Sequence, residues 1–469
     1  MMKDSYKKES PLLTLTSLGG GSNSTLYAGG AKASSWYLDI DAGQGDPFGL
    51  CVVVDDSGNS FVAGKHPGGS TLYKIDTEGN LIWSRRLTGN MLLGHNSVAL
   101  DSSGNVYVAG EAMWYVGGQG SANFRVITAK YNSSGNLQWQ KRYTTTGNPS
   151  SEENGYGVTT DSSGNVYVSG HSTYNGQSIL MLKYTSSGSL SWYKRFSIST
   201  DYGPDVDFDN SAYELLMCHL VYTHTPIQYG AWVITRFSYW SGAVSWSKMF
   251  GTGQGDGAVT NTGCNIKVKS SNYYVGCTFR GQGGGNRLAV VKFTNTGTLL
   301  WGRMIGPTGQ NTYLGGVAVD NSGNVYGVGT RIDTYDLLIA KWNSSGTLQW
   351  QRTFGGSNTE YMFGRGIDVD NLGSIYISFR SNSTTGSANR SIVLKLPDDG
   401  SRTGTHGSFT YSVSSVSEYS ITDASLTYPV SNQFVYPNNP TNSPSGYSNT
   451  TESYTDTNDS PTTVKSNIT

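Results

Sequence analysis

DSSGNVYVAG, residues 101–110, decides the fold, because it returns as DDSGNSFVAG (55–64), DSSGNVYVSG (161–170), DNSGNVYGVG (320–329) and, more weakly, DNLGSIYISF (370–379). Each copy pairs a polar turn with an alternating run. Asp at the head of the turn can accept bonds from backbone N–H groups two or three residues on, and Gly allows positive φ. That combination reads as a β-hairpin. A second phrase follows: YKIDTEGNLIW, AKYNSSGNLQW, LKYTSSGSLSW, TRFSYWSGAVSW, VKFTNTGTLLW and AKWNSSGTLQW. Two hairpins per unit predict four strands per unit.

The second hairpin keeps a fixed spacing. Lys74, Lys130, Lys183, Lys292 and Lys341 each precede a Trp by nine positions (Trp83, Trp139, Trp192, Trp301, Trp350), while Arg236 to Trp246 has one residue more. Four residues past each Trp stands an apolar side chain (Leu87, Tyr143, Phe196, Phe250, Ile305, Phe354), on the same face of a strand. The residue midway is always basic (Arg85, Lys141, Lys194, Lys248, Arg303, Arg352), as expected for a stem lying along the face with its charge outward. The tryptophans recur every 49 to 56 residues, the period of a propeller blade.

The seventh unit lacks its last strand. It has the first hairpin (366–379) and SIVLKLPDDG with Lys395 in the basic slot, but Gly404 stands where the Trp belongs. The N-terminus holds a surplus strand, residues 33–40, carrying Trp36 and, four residues on, Ile40. Pairing the two predicts an all-β, seven-bladed β-propeller over residues 33–405, its ring closed by strand 33–40 completing the last blade. Closure matters because each blade buries its faces only against its neighbours.

These units resemble the bacterial β-propeller repeats with a DxxGNxYVxG first hairpin and a GNLxW second, relatives of the NHL-type repeat. The resemblance implies the fold and little about function. The fourth unit departs most, with DVDFDNSAYELLMCHL (205–220) in place of the first hairpin.

Outside the ring, residues 1–32 read as an N-terminal arm with a Gly-rich linker (Gly19 to Gly21, Gly29, Gly30) and residues 406–469 as a Ser/Thr/Tyr/Pro-rich C-terminal extension. The extension has little to build a core of its own. Its spaced aromatics (Phe409, Tyr411, Tyr419, Tyr428, Phe434, Tyr436) suit docking as an extended strand on another surface. SPLLTLTSLGGG (10–21) and the Ser/Thr/Tyr segments of the extension resemble arms of structural proteins of marine and cyanobacterial tailed phages.

Charged residues make up 14% of the 469, and the net charge of −1 gives no electrostatic reason to bind nucleic acid or an anionic membrane. No run approaches the length of a membrane helix. Pro11 to Leu15 is too short for a signal-peptide core, which predicts a protein not exported by the standard route.

Candidate chemistry is sparse. Asp205, Asp207 and Asp209 form a DxDxD run, but Asn210 and Leu216 stand where a calcium loop needs Gly and Glu, and Asp209 aligns with the turn aspartates. Asp55, Asp101, Asp161, Asp320 and Asp370 are assigned to turns rather than to cations. GNLxW resembles the tryptophan-docking motif of quinoprotein propellers, yet residues for a quinone, calcium and base are not found. The repeated tryptophans and Lys/Arg are therefore assigned to packing between blades. Cys264 and Cys277 should face each other about the Ser270-Ser271 turn, as reduced thiols in preference to a disulfide. The histidines are isolated, with no nucleophile–base set.

The expectation is a non-enzymatic structural protein of a tailed-phage virion, without metal or cofactor. The tail appendage, fibre or decoration is its expected place, in a homo- or hetero-oligomeric assembly. Its expected partners are other virion proteins through both termini, and a host-surface glycan or protein through variable loops such as 113–124 and the stretch at Tyr229. The alternative is a secreted or cell-surface propeller that binds glycans or proteins.

Overall fold

In the computed structural model every repeat phrase is an antiparallel hairpin. The structure describes residues 34–469 except 42–47, 67–68, 89–91, 116–121, 146–150, 175, 198–202, 223–229, 252–262, 281–283, 357–358, 362–365, 383–388, 407–408, 422–427, 432–446, 451–454, 459–461 and 469. The N-terminal arm, the middle of loop 113–124 and Tyr229 lie outside the described residues. The strands form seven antiparallel sheets arranged as the blades of one propeller, with no helix among the described residues.

Blade 1 shows the plan. Its strands, from the channel outward, are Phe48–Val54, Ser60–His66, Gly69–Ile75 and Leu81–Thr88. Lys74 stands opposite Trp83 between the third and fourth strands, and the register shifts by a bulge immediately after. The same opposition recurs at Lys130–Trp139, Lys183–Trp192, Arg236–Trp246, Lys292–Trp301 and Lys341–Trp350. In blade 7 the pair is Lys395 and Trp36, because Ser35–Asp41 supplies its fourth strand alongside Asn389–Leu396. The ring closes as the surplus strand requires.

Six of the seven tryptophans bond the next blade, while Trp246 packs on the ring of its Tyr273. The indole N–H groups of Trp36, Trp83, Trp139, Trp192, Trp301 and Trp350 donate to the carbonyls of Thr77, Ser133, Ser186, Tyr239, Ser344 and Asp398, all in the second turn of the following blade. The Lys opposite each of these tryptophans donates its ammonium to the same oxygen, at 2.9–3.5 Å. The Gly of that turn lies on the ring face: a Cβ on Gly79 would stand 2.7 Å from Trp36. The basic residue two past the Trp also differs from the expected outward charge. Arg85 and Arg352 donate Nε–H to the carbonyls of Gly135 and Gly400 in the neighbouring turn. One turn thus receives three donors from the preceding blade.

The core lies between blades. Cys51, Phe61 and Leu72 of blade 1 pack on Val98, Val106 and Tyr131 of blade 2, and an equivalent buried cluster fills every other seam. At the last seam Trp36, Leu38 and Ile40 meet Val62 and Tyr73. Apolar burial contributes about 25 cal/mol per Å², so an open ring would leave two such faces wet.

The C-terminal extension docks on the chain's own blades. After Gly404–His406 and Phe409–Val413 on blade 6, it adds Glu418–Ile421 to blade 5, Tyr428–Ser431 to blade 4, Tyr447–Thr450 to blade 2, Thr455–Asn458 to blade 1 and Thr462–Ile468 to blade 7. The extension runs round the rim against the order of the blades. It ends on Ser35–Asp41, pairing seven positions of the strand that closes the ring. Each added strand covers an outer edge whose N–H and C=O groups would otherwise face water or another chain.

Candidate functional site at the channel and the two faces

The inner strands border a cavity of about 230 Å³, lined by apolar and polar residues in comparable numbers, the charged ones being Asp205, Asp207, Lys267 and Asp368. The register of the blades places seven residues at one level: Val53, Ala99, Thr159, Asp207, Lys267, Ala318 and Asp368, each opposite the same position of its second strand. Burial raises the carboxyls of Asp207 and Asp368 above the ordinary aspartate value, and the charge of Lys267 pulls against it in both.

These carboxylates are held across blade seams. Asp207 accepts from the Val268 N–H (2.7 Å), the Thr159 hydroxyl (3.1 Å) and its neighbour Phe208 N–H. Asp368 accepts from the Val54 N–H at 2.9 Å, which ties blade 7 to blade 1. Asp205 accepts from the Asn265 amide and the Ile266 N–H, and Asn265 in turn accepts from Val317 N–H. Asp209 heads its turn, accepting from Ser211 and Ala212 N–H, with the Tyr273 hydroxyl on its other oxygen. The DxDxD run therefore faces three separate sets of donors. Among the described residues no group of three His, Cys, Asp or Glu side chains is placed to hold a metal ion.

The turn aspartates Asp55, Asp101, Asp161, Asp320 and Asp370 each accept the N–H groups two and four residues on, rather than two and three. The second oxygen of Asp101, Asp161, Asp320 and Asp370 takes a Tyr hydroxyl from the second strand (Tyr107, Tyr167, Tyr326, Tyr376). Over each of those rings lies the ammonium of a third-strand Lys, 5.1–5.4 Å from the centroid. Turn, Tyr, Lys and Trp make one connected unit.

Cys264 and Cys277 are buried free thiols, as are Cys51 and Cys218. They flank the Asn265–Gly276 pair, and burial together with the neighbouring sulfur raises the Cys277 thiol.

Sequence reasoning missed four groups. Lys267 and Asp368 become visible only when the units are aligned on strand register. His219 occupies the place of a repeat glycine (Gly64, Gly110, Gly170, Gly329), fully buried, and burial pushes its pKa down to about 3. Glu111 follows Gly110 as Lys65 follows Gly64. Burial pushes its carboxyl up to about 7 against the pull of Lys65, with Glu152 adding to the rise.

The two faces differ in kind. One carries the short turns of both hairpins, repeated with little change. The other carries every connection from second to third strand and from blade to blade, and these vary in length from two residues between Ser60–His66 and Gly69–Ile75 to thirteen between Val244–Gly251 and Asn265–Lys269. The larger insertions thus gather on one face, which is the face freer to change in length.

No family model and no curated protein matches the chain. Among solved structures, the chain is similar to the polysaccharide lyase Uly1 (TM-score 0.44, 9% identity, 80% of this chain and 94% of that one). It is also similar to prolyl oligopeptidase B from Galerina marginata (0.39, 10%, 82% and 52%) and to a glucose dehydrogenase (0.36, 10%, 77% and 98%). Likenesses at this distance carry no argument about what the chain does.

Proposed function

We propose that the protein is a non-enzymatic binding head of a tailed-phage virion, in an appendage, fibre or decoration. The observation that carries the proposal is the C-terminal extension, which runs along the blade rims and ends on the closing strand. A ring locked at both ends of its chain suits a part that works outside the cell, where unfolding is irreversible and proteases are present. The unbridged thiols and the charge-poor, Ser/Thr/Asn-rich composition fit a protein made in the cytosol and released by lysis. The likeness of both arms to phage structural proteins points the same way.

Because the strands of the C-terminal extension engage the propeller itself, the proposal assigns contacts with neighbouring virion proteins to residues 1–32 and to the loop face. Mass spectrometry of purified particles, with cryo-microscopy to locate the subunit, tests it: the protein is expected in stoichiometric amount. Absence from particles would sink the virion assignment and favour a secreted or cell-surface propeller.

A further inference from the structure

Among the residues whose side chains are described, the two exposed aromatic ones both belong to blade 4, on the turn face. Trp240 is 72% exposed and Tyr213 56% exposed. They flank the half-buried Tyr239, with ring centroids 5.9 Å apart for Tyr213–Tyr239 and 5.0 Å for Tyr239–Trp240. All three occur where the repeat breaks its own pattern. The first turn of blade 4 reads Asp209-Asn210-Ser211-Ala212-Tyr213 in place of Asp-x-x-Gly-Asn, and the second gains a residue as Ser238-Tyr239-Trp240-Ser241-Gly242.

The break costs the fold something. Tyr213 has φ +52, the left-handed conformation that Gly58, Gly104, Gly164, Gly323 and Gly373 occupy in other first turns. A tyrosine there is strained by about 1–2 kcal/mol where glycine is not. The turn is also held on both sides: Asn210 accepts from the Ser162 N–H of blade 3, and the Ser211 hydroxyl bonds the Ser271 hydroxyl of blade 5. The ammonium of Lys183 lies beneath the platform, 5.0 Å from Tyr239 and 5.4 Å from Trp240. The rings are thus preorganised before any ligand arrives.

We propose that Tyr213, Tyr239 and Trp240 form a saccharide-stacking site, which names the ligand class of the binding head assigned above and rests on that assignment. A pyranose offers a flat C–H face to an aromatic ring and a rim of hydroxyls to its surroundings. The platform offers the exposed rings of Tyr213 and Trp240 to the first, and Asn210, Ser211 and Ser241 of the same two turns supply polar groups for the second. The aliphatic side chains of a protein hot spot are not gathered there: exposed Ile82, Leu300 and Leu372 belong to blades 1, 5 and 7.

The test uses the full chain against an array of neutral hexose oligosaccharides, with saturation-transfer NMR on any member retained. Wild type is expected to retain at least one. Trp240→Ser and Tyr213→Gly are expected to weaken retention tenfold or more with the melting temperature unchanged or, for Tyr213→Gly, raised. No retention by wild type, or retention that survives both substitutions, overturns the site. Self-association lost in Trp240→Ser without saccharide binding makes the platform a protein contact and overturns it equally. None of these results bears on whether the protein is found in particles.

Discussion

Trp36 and Lys395 stand opposite one another across a strand pair and donate to the same acceptor, the carbonyl of Thr77, at 3.0 and 2.9 Å. One comes from the first described strand and the other from near the end of the propeller. The bond is the Lys–Trp clasp of blades 1, 2, 3, 5 and 6, but here no covalent hairpin brings the two strands together. Trp36→Ala removes a fully buried indole from the seam between blades 7 and 1, and a loss of about 3–5 kcal/mol is expected. Chemical denaturation checks this. Trp350→Ala, within a covalently continuous hairpin on a half-buried ring, is expected to cost less.

The extension makes the closing blade dependent on the C-terminus as well, at its other seam. Ile468 is buried in the cluster that joins blades 6 and 7 and pairs with Ser35. Ile468→Ala is expected to cost about 2–3 kcal/mol. Removal of residues 462–469 is expected to raise amide exchange across Ser35–Asp41 while leaving Ser178–Tyr184 of blade 3 protected. Exchange that rises equally in both segments would mean that the extension stabilises the ring as a whole rather than its closure.

The Lys–Trp spacing made the blades and the closure legible, because hairpin pairing is local and each clasp uses the same residue types. Blade 7 announced itself by Lys395 without a Trp, and Ser35–Asp41 by Trp36 without a hairpin. The extension was not legible beyond its aromatics. Tyr447–Thr450 and Thr455–Asn458 join blade edges through backbone bonds, which impose no pattern on side chains. At the channel, Asp207 was noticed for its neighbours in DxDxD, whereas Asp368 and Lys267 stand alone in sequence and share its level only through sheet register. Glu111 acquires its character from burial, with Glu152 adding to it and Lys65 opposing it, and neither neighbour is close to it in sequence.

Glu111 predicts how stability varies with pH. Its carboxyl, raised from the ordinary glutamate value of 4.5 to about 7, keeps its proton in the folded chain after the unfolded chain has lost it. Between those values the folded state binds more protons, so stability falls as pH rises and the loss is complete above about 7. At about 1.4 kcal/mol per unit the whole effect is roughly 3 kcal/mol. Glu111→Gln keeps the shape without the charge. Its unfolding midpoint, measured from pH 4.5 to 8, is expected to decline less than that of wild type and to lie above it at pH 8. Parallel curves would mean that the carboxyl titrates normally.

Gly79 and Gly104 separate backbone strain from the packing of the clasp. Both have positive φ, +85° and +73°, so alanine at either pays a similar conformational cost of about 1 kcal/mol. Only one lies on a tryptophan. A Cβ at Gly79 would meet Trp36 at 2.7 Å, whereas at Gly104 the nearest atom is Ser133 Cβ at 3.6 Å, an ordinary contact. Gly79→Ala must push the indole away, which lengthens its bond to Thr77 and opens the closing seam, at a further cost of about 1–3 kcal/mol. Paired thermal melts are therefore expected to place Gly79→Ala well below Gly104→Ala. Combining Gly79→Ala with Trp36→Ala is expected to cost less than the two losses added, because the clash disappears with the ring. Strict additivity in that double variant would show that Gly79 acts through its own backbone and that the ring face of Trp36 has no part in closing the propeller.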